Sequence, residues 1–380
     1  MKNWVYLSIL LALVFCLDGC DRKPAIEPSG KTIKVGIIAP FSGSHHATGK
    51  EGLKGMETAR QLQPYLQNGD RIEWVVEDDK NEPAVSVRLL KKLVEIEKVS
   101  AIITFSSSNP VLAMTKFADD YQTPILAALA THPDVTKDNS FISQLCFDDD
   151  FQGTVAALFA RDDLLIDTVA VFNHPNDSYS RYLAAKFKSK FESIGGEITD
   201  MISITEETDD VFEIIKSSRA KNPELLFLPL FANDVLRIVR EVRKVDWNPL
   251  IMGSDGLISN MIAVHQEELH LVDGMMAIDL FAHGMPLTSF GKKASDKHGE
   301  RGGGTIFAGL GAEGYAILLN AMNRCSDPAD RNCINRQIRS TNNFMGLAGN
   351  ITIGSNGKAQ RPLCINSIQG GRSKFIFKVY

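Results

Sequence analysis

Ile33-Lys34-Val35-Gly36-Ile37-Ile38-Ala39-Pro40 is an apolar run of strand length, closed by proline and followed by Phe41-Ser42-Gly43. A stretch of helical period covers 49–63, and a second strand-length run follows at 71–77. That is a strand–helix–strand unit, in which parallel strands are joined by a right-handed crossover. The rhythm continues with strands expected at 101–105 and 124–129 and helices at 84–99 and 111–121. In the second half, strands are expected at 168–173, 197–204, 224–230, 249–253 and 274–280, with helices at 179–194, 210–220 and 233–245. Strand and helix in alternation predict an α/β fold with parallel sheets covered on both faces. So many strands exceed what one twisted sheet usually holds, so two doubly wound lobes are expected. The polar cluster Phe147-Asp148-Asp149-Asp150 marks the break between them. Ligands of such sheets bind beyond the carboxyl ends of the strands, and two facing lobes put those ends around one cleft.

Composition narrows the function. The 380 residues are 44% apolar with a net charge of -5, and acidic and basic residues are interspersed along the whole length. No Lys/Arg cluster supplies the footprint that phosphate backbones need, which argues against a nucleic-acid partner. At the N-terminus, Lys2 precedes an apolar run from Trp4 to Leu17, then Leu17-Asp18-Gly19-Cys20 and the polar Asp21-Arg22-Lys23-Pro24. The run is short for a membrane span, and a small residue before cysteine marks a cleavage site. The segment resembles a bacterial lipoprotein signal, with Asp18 where a small or uncharged residue is usual. Residues 1–19 are then the signal, Cys20 the lipidated residue and 20–31 a tether; plain secretion or a retained anchor helix are the alternatives. Acyl chains hold such a domain at a membrane because each buried methylene contributes about 0.8 kcal/mol.

Six cysteines are present, and Cys16 leaves with the signal while Cys20 carries the lipid. Of the remaining four, Cys325 and Cys333 flank a short loop containing Asp and Pro, and an oxidising compartment favours their pairing. Cys146 and Cys364 are either a second bridge or two buried thiols. No CxxC or HxxxH spacing accompanies them, so no metal is expected.

The chain resembles the substrate-binding proteins of branched-chain amino acid ABC transporters, which are type I periplasmic binding proteins. The resemblance extends from about Lys31 to the C-terminus. It is carried by 33–43, by Glu77-Asp78-Asp79 with Pro83, by Ser106-Ser107-Ser108, by Thr123-Pro124-Ile125 and Thr131-His132-Pro133, by Phe151-Gln152-Gly153, and by Met252-Gly253-Ser254-Asp255-Gly256, taken in order and spacing. It implies two parallel-sheet lobes joined by a three-strand hinge, with crossings near Phe147, near Asp279 and within 346–356. The lobes would then be 32–148 plus 279–352 and 149–278 plus 353–380.

The serine run follows a strand and precedes a helix whose first turn holds Asn109 and Pro110. Serine caps helices well and proline is tolerated in the first turn, so an ordinary cap is one reading. The exposed N–H groups and positive dipole end also favour a carboxylate. In the relatives, the positions of Ser108, the Leu129 carbonyl and Thr131 grip the α-carboxylate and α-amino groups of an amino acid. An acid on the other lobe meets the ammonium; the family usually has Glu there, and this chain has Asp255, which otherwise reads as an Asp-Gly turn. The same alignment makes Tyr179, Phe231 and Phe307 pocket walls, each also a plausible core residue, with Thr48 where relatives often carry an aromatic cap.

Other motifs are set aside. Gly309-Leu310-Gly311-Ala312-Glu313-Gly314 matches GxGxxG but lacks the preceding strand and turn, so its small residues read as close helix packing. His45-His46 lie in a loop, His265 and His270 are five apart, and Gly302-Gly303-Gly304 reads as a surface loop. There is no GxSxG elbow and no identifiable triad, so the chain is expected not to be an enzyme and to need no cofactor.

The expected protein is a lipid-anchored solute-binding protein on the outer face of the cytoplasmic membrane. It closes on a small zwitterionic or carboxylate ligand, an amino acid first, and delivers it to an ABC permease. A sensing subunit of a signalling receptor, or transport of an amide, urea-like or aromatic acid ligand, are the alternatives. In Cys20→Ala, membrane association and leader removal are expected to be lost on cell fractionation; an unchanged pattern contradicts the lipoprotein reading.

Overall fold

The computed structural model describes residues 26–298 and 305–380. The expected signal 1–19, Cys20 and Gly302–Gly304 lie outside the described residues. The chain begins with β1 (Thr32–Ala39), α1 (His46–Leu62), β2 (Arg71–Asp78), α2 (Pro83–Glu95), β3 (Ala101–Thr104), α3 (Ser108–Asp120), β4 (Ile125–Ala127) and β5 (Ile142–Gln144). These strands form a five-stranded sheet of order β2-β1-β3-β4-β5, parallel throughout. The interior strand β1 buries Val35, Ile37 and Ile38 completely, as a strand covered on both faces must.

The second series is α4 (Asp149–Leu158), β6 (Thr168–Asn173), α5 (Ser178–Ser193), β7 (Glu197–Ser203), α6 (Val211–Ala220), β8 (Leu225–Leu228), α7 (Ala232–Lys244), β9 (Leu250–Gly253), α8 (Leu257–Val264) and β10 (Met276–Asp279). The chain then returns through α9 (Ser289–His298), α10 (Ile306–Asn323), α11 (Arg331–Ile338), β11 (Phe344–Met345), β12 (Asn350–Ile353) and β13 (Ala359–Gln360). It ends in β14 (Leu363–Gln369) and β15 (Arg372–Val379). The second sheet has the order β15-β14-β10-β9-β8-β6-β7, with β14 antiparallel to both its neighbours and the other pairs parallel. The order 7-6-8-9-10 repeats that of the first sheet, so both lobes are doubly wound.

Helix α10 belongs with the first sheet because glycines let it approach α1. A Cβ on Gly55 would lie 1.9 Å from the Ala308 carbonyl oxygen, and one on Gly311 would lie 2.0 Å from that of Gly52. The GxGxxG stretch therefore serves packing inside a helix. Cys325 and Cys333, eight positions apart, are joined across the turn between α10 and α11, whereas Cys146 and Cys364 are separate buried thiols. Among the described residues no helix is long and apolar enough to cross a membrane.

The chain passes between the sheets three times. Two passages lie after β5 and after β10, next to Phe147 and Asp279. The third lies at 361–362 and not within 346–356, because β13 still pairs with β12 and the Gly357 carbonyl accepts from Gln144 N–H on β5 at 2.8 Å. Residues 353–360 thus stay beside the first sheet.

Because the α1–α10 contact is backbone against backbone, Gly55→Ala is expected to cost at least about 1–3 kcal/mol, the usual range for overpacking. Denaturant unfolding checks this; an unchanged midpoint would contradict the packing described.

Candidate ligand-binding site

The carboxyl ends of the strands of both sheets face one cavity of ≈ 350 Å³. Ser108, Leu129, Thr131, Asp255, Tyr179, Phe231, Phe307 and Thr48 all line it. The fold thus brings together every residue that the sequence singled out for the cleft. They arrive on seven separate segments, each leaving the end of a strand or opening a helix.

On the first lobe, the turn after β3 is held by a buried carboxylate. Asp79 Oδ2 accepts from Ser106 Oγ at 2.5 Å and Ser86 Oγ at 2.7 Å. The Ser107 N–H donates to Asn81 Oδ1 at 2.8 Å. Ser107 is the N-cap of α3 and makes no side-chain capping bond, which leaves the positive end of the helix at the cavity wall. Ser108 Oγ accepts from His132 N–H at 3.2 Å, and the Thr131 carbonyl accepts from Asp149 N–H at 3.0 Å. Both hydroxyl residues are almost fully buried.

On the second lobe, Asp255 follows β9 and faces the cavity with part of its surface open. Its Oδ1 accepts from Gln152 Nε2 at 2.6 Å and from the Tyr179 hydroxyl at 3.0 Å. The Tyr179 oxygen also lies 2.5 Å from Ser254 Oγ, whose hydroxyl can donate to it. Burial pushes the Asp255 carboxyl up to about 6, against the pull of these donors. The neighbouring Asp279, fully buried, is pushed up to about 7 by burial, with Asp255 adding to the effect. Asp149, also fully buried, is pushed well up for the same two reasons. Three acids converge here, and burial makes each of them hold its proton to higher pH than an exposed carboxyl does.

Aromatic rings close the sides. Phe231 stacks on Tyr179 at 5.9 Å between centroids, and His45 of the first lobe meets Phe231 edge-on at 4.6 Å. Phe307 packs under Gly256, where a Cβ would sit 3.3 Å from its ring. Gly256 has φ of 73°, so this turn needs glycine on two counts. Thr48 does not present its hydroxyl to the cavity, because Oγ1 donates to the His45 carbonyl at 2.9 Å. The ring above the cleft comes from His45 instead, which burial keeps below its usual pKa and so neutral at pH 7. Sequence reading placed His45 in a loop and missed its role; no spacing rule marks a histidine that reaches across a cleft. Gln152 was legible, since it sits inside the Phe151-Gln152-Gly153 motif, but its partner Asp255 is 103 positions away.

The two lobes also touch directly. Asn109 Nδ2 donates to the Asn176 carbonyl at 3.2 Å, and Ser178 N–H donates to Asn109 Oδ1 at 3.1 Å. The lining carries the carboxylates Asp255, Asp234 and Glu206 and, among the described residues, no Lys or Arg. Glu206 is paired with His174 Nε2 at 3.2 Å.

A family model described as periplasmic binding protein matches residues 32–372. An amino acid binding protein of Pseudomonas aeruginosa is 23% identical over 304 residues, covering 78% of this chain and 80% of the relative. The crystal structure of a leucine-binding protein from Thermotoga maritima superposes with a TM-score of 0.84 at 26% identity, covering 91% of this chain and 98% of that one. A solute-binding protein of an ABC transporter from Rhodopseudomonas palustris, in complex with 3,4-dihydroxybenzoic acid, superposes with a TM-score of 0.79 at 18% identity, covering 92% and 97%.

The raised acids make the ligand-free protein sensitive to pH. Asp255 binds its proton more tightly folded, at about 6, than unfolded, at the ordinary 3.8. Stability contributed by that proton is present below the unfolded value and is lost as pH rises through the folded one. Melting curves from pH 4.5 to 7.5 are therefore expected to fall less in Asp255→Asn than in the parent; parallel curves would contradict the assignment.

Proposed function

The chain belongs to the periplasmic binding protein family, and on that premise we propose that it captures an amino acid in the interlobe cavity and passes it to an ABC permease. The family places the protein outside the cytoplasm. The α-carboxylate is assigned to Ser108, Thr131 and the N-terminus of α3, and the α-ammonium to Asp255. Phe231, Phe307 and Tyr179 receive the side chain, with the Leu129 carbonyl as a further acceptor for the ammonium. Aspartate is one methylene shorter than glutamate, and Gln152 and Tyr179 hold it in the direction of the cleft.

The observation that carries this reading is the charge of the wall. It offers a helix N-terminus and hydroxyls on one lobe, a buried carboxylate on the other, and no cationic side chain among the described residues. An aromatic acid would bring a second anion to that carboxylate with nothing to neutralise it, whereas a zwitterion satisfies both halves. Contacts made on both lobes at once stabilise the closed form in proportion to their differential affinity, so capture and closure are one event. Lipidation at Cys20 would keep the domain beside the permease. The lobes are assigned as 32–148 with the segment after 279, and 149–278 with the C-terminal strands.

Calorimetry on the domain without its leader tests this with L-leucine, L-isoleucine and benzoate. The amino acids are expected to bind and benzoate not. Removing one partner of a buried ion pair costs roughly 3–5 kcal/mol, so Asp255→Ala is expected to weaken amino acid binding by two to three decades or more. Benzoate binding without amino acid binding, or a change below about threefold in Asp255→Ala, a shift too small for a buried pair, would overturn the assignment.

A further inference from the structure

Outside the cavity lining lies a buried ion pair that the ligand site does not use. Arg361 Nη1 donates to Glu313 Oε2 at 2.7 Å and Arg361 Nη2 to Glu313 Oε1 at 3.3 Å. The side chains are 3% and 0% exposed. Glu313 lies in α10, which packs on α1 and so moves with the first lobe. Its Oε1 also accepts from the Leu347 N–H at 2.7 Å.

Arg361 reaches every passage between the sheets. It stands on the third passage, one residue after β13 and two before β14. It donates through Nη1 to the Leu145 carbonyl at 3.1 Å, on the first passage, one residue after β5. Its guanidinium lies over the Phe281 ring at 5.3 Å, on the second passage, two residues after β10. One side chain therefore ties the three crossing segments to one another and to α10.

We propose that Arg361 is the pivot of lobe closure, a positioning residue that fixes the axis about which the lobes rotate. Three independent strands would allow twist and shear as well as bending. A planar guanidinium with fixed donor directions, engaged by a carboxylate, a carbonyl and a ring, removes those freedoms at the crossing point. Its burial makes the contacts hard to exchange for water, so they persist in both open and closed forms. The lobes then meet in one register, which brings Asp255 opposite Ser108 and Thr131. The inference rests on the interlobe capture proposed above, but its test needs no ligand.

Spin labels at Lys116→Cys in α3 and Ser189→Cys in α5, both exposed, report the distance between lobes in the ligand-free protein. The label sites are to be combined with Arg361→Met/Glu313→Gln, which removes both charges and keeps an acceptor for Leu347. They are also to be combined with Arg361→Lys, which keeps the charge but not the fork. In both backgrounds the distance distribution is expected to broaden by about twofold or more relative to the parent, while circular dichroism stays native. A loss of thermal stability with an unchanged distribution, in either folded variant, would overturn the pivot and leave a purely structural ion pair. Adding L-leucine afterwards tests the capture reading separately: the parent distribution narrows if that reading holds, whatever the variants do.

Discussion

A carboxylate facing a cavity whose lining, among the described residues, offers it no Lys or Arg is the constraint around which this protein is built. Asp255 is held by a tyrosine and a glutamine, and burial raises its pKa to about 6. Burial also raises Asp149 and Asp279, and the charge of Asp255 raises both further. Such a cluster costs stability in the empty protein. In the capture proposed above, an entering ammonium offsets that cost, which favours a ligand that carries one.

The fold supplies the other half of that bargain at a distance. Two sheets with the same strand order point their carboxyl ends at one cleft, and the uncapped start of α3 stands opposite Asp255. Neither half alone distinguishes a zwitterion from an ion. In the proposed capture their opposition does, and it depends on the lobes meeting in register. On the closure proposed above, the Arg361–Glu313 pair sets that register from outside the cavity lining.

Most of the architecture was legible because parallel strands buried on both faces leave plain apolar runs. The run at 168–173 coincides with β6, and the helix expected at 179–194 lies over Ser178–Ser193. The C-terminal part was not legible. Strands β11 and β13 have two residues each, and β14 and β15 form a hairpin with no helix between them, so the alternation that marked the rest is missing. The third passage was misplaced for the same reason: nothing local in 346–360 says that it leans on β5. In the site, residues on strand ends could be aligned, but contacts such as His45 on Phe231 depend on the meeting of two lobes and leave no trace in spacing.

The most direct measurement is the proton count of ligand binding, from calorimetry of L-leucine at pH 5.5 in buffers of different ionisation enthalpy. A ligand ammonium meeting Asp255 must displace the proton that burial holds there. The account predicts net proton release at pH 5.5, little or none at pH 8, and no release in Asp255→Asn. Proton uptake, or a count that does not change with pH, would contradict it.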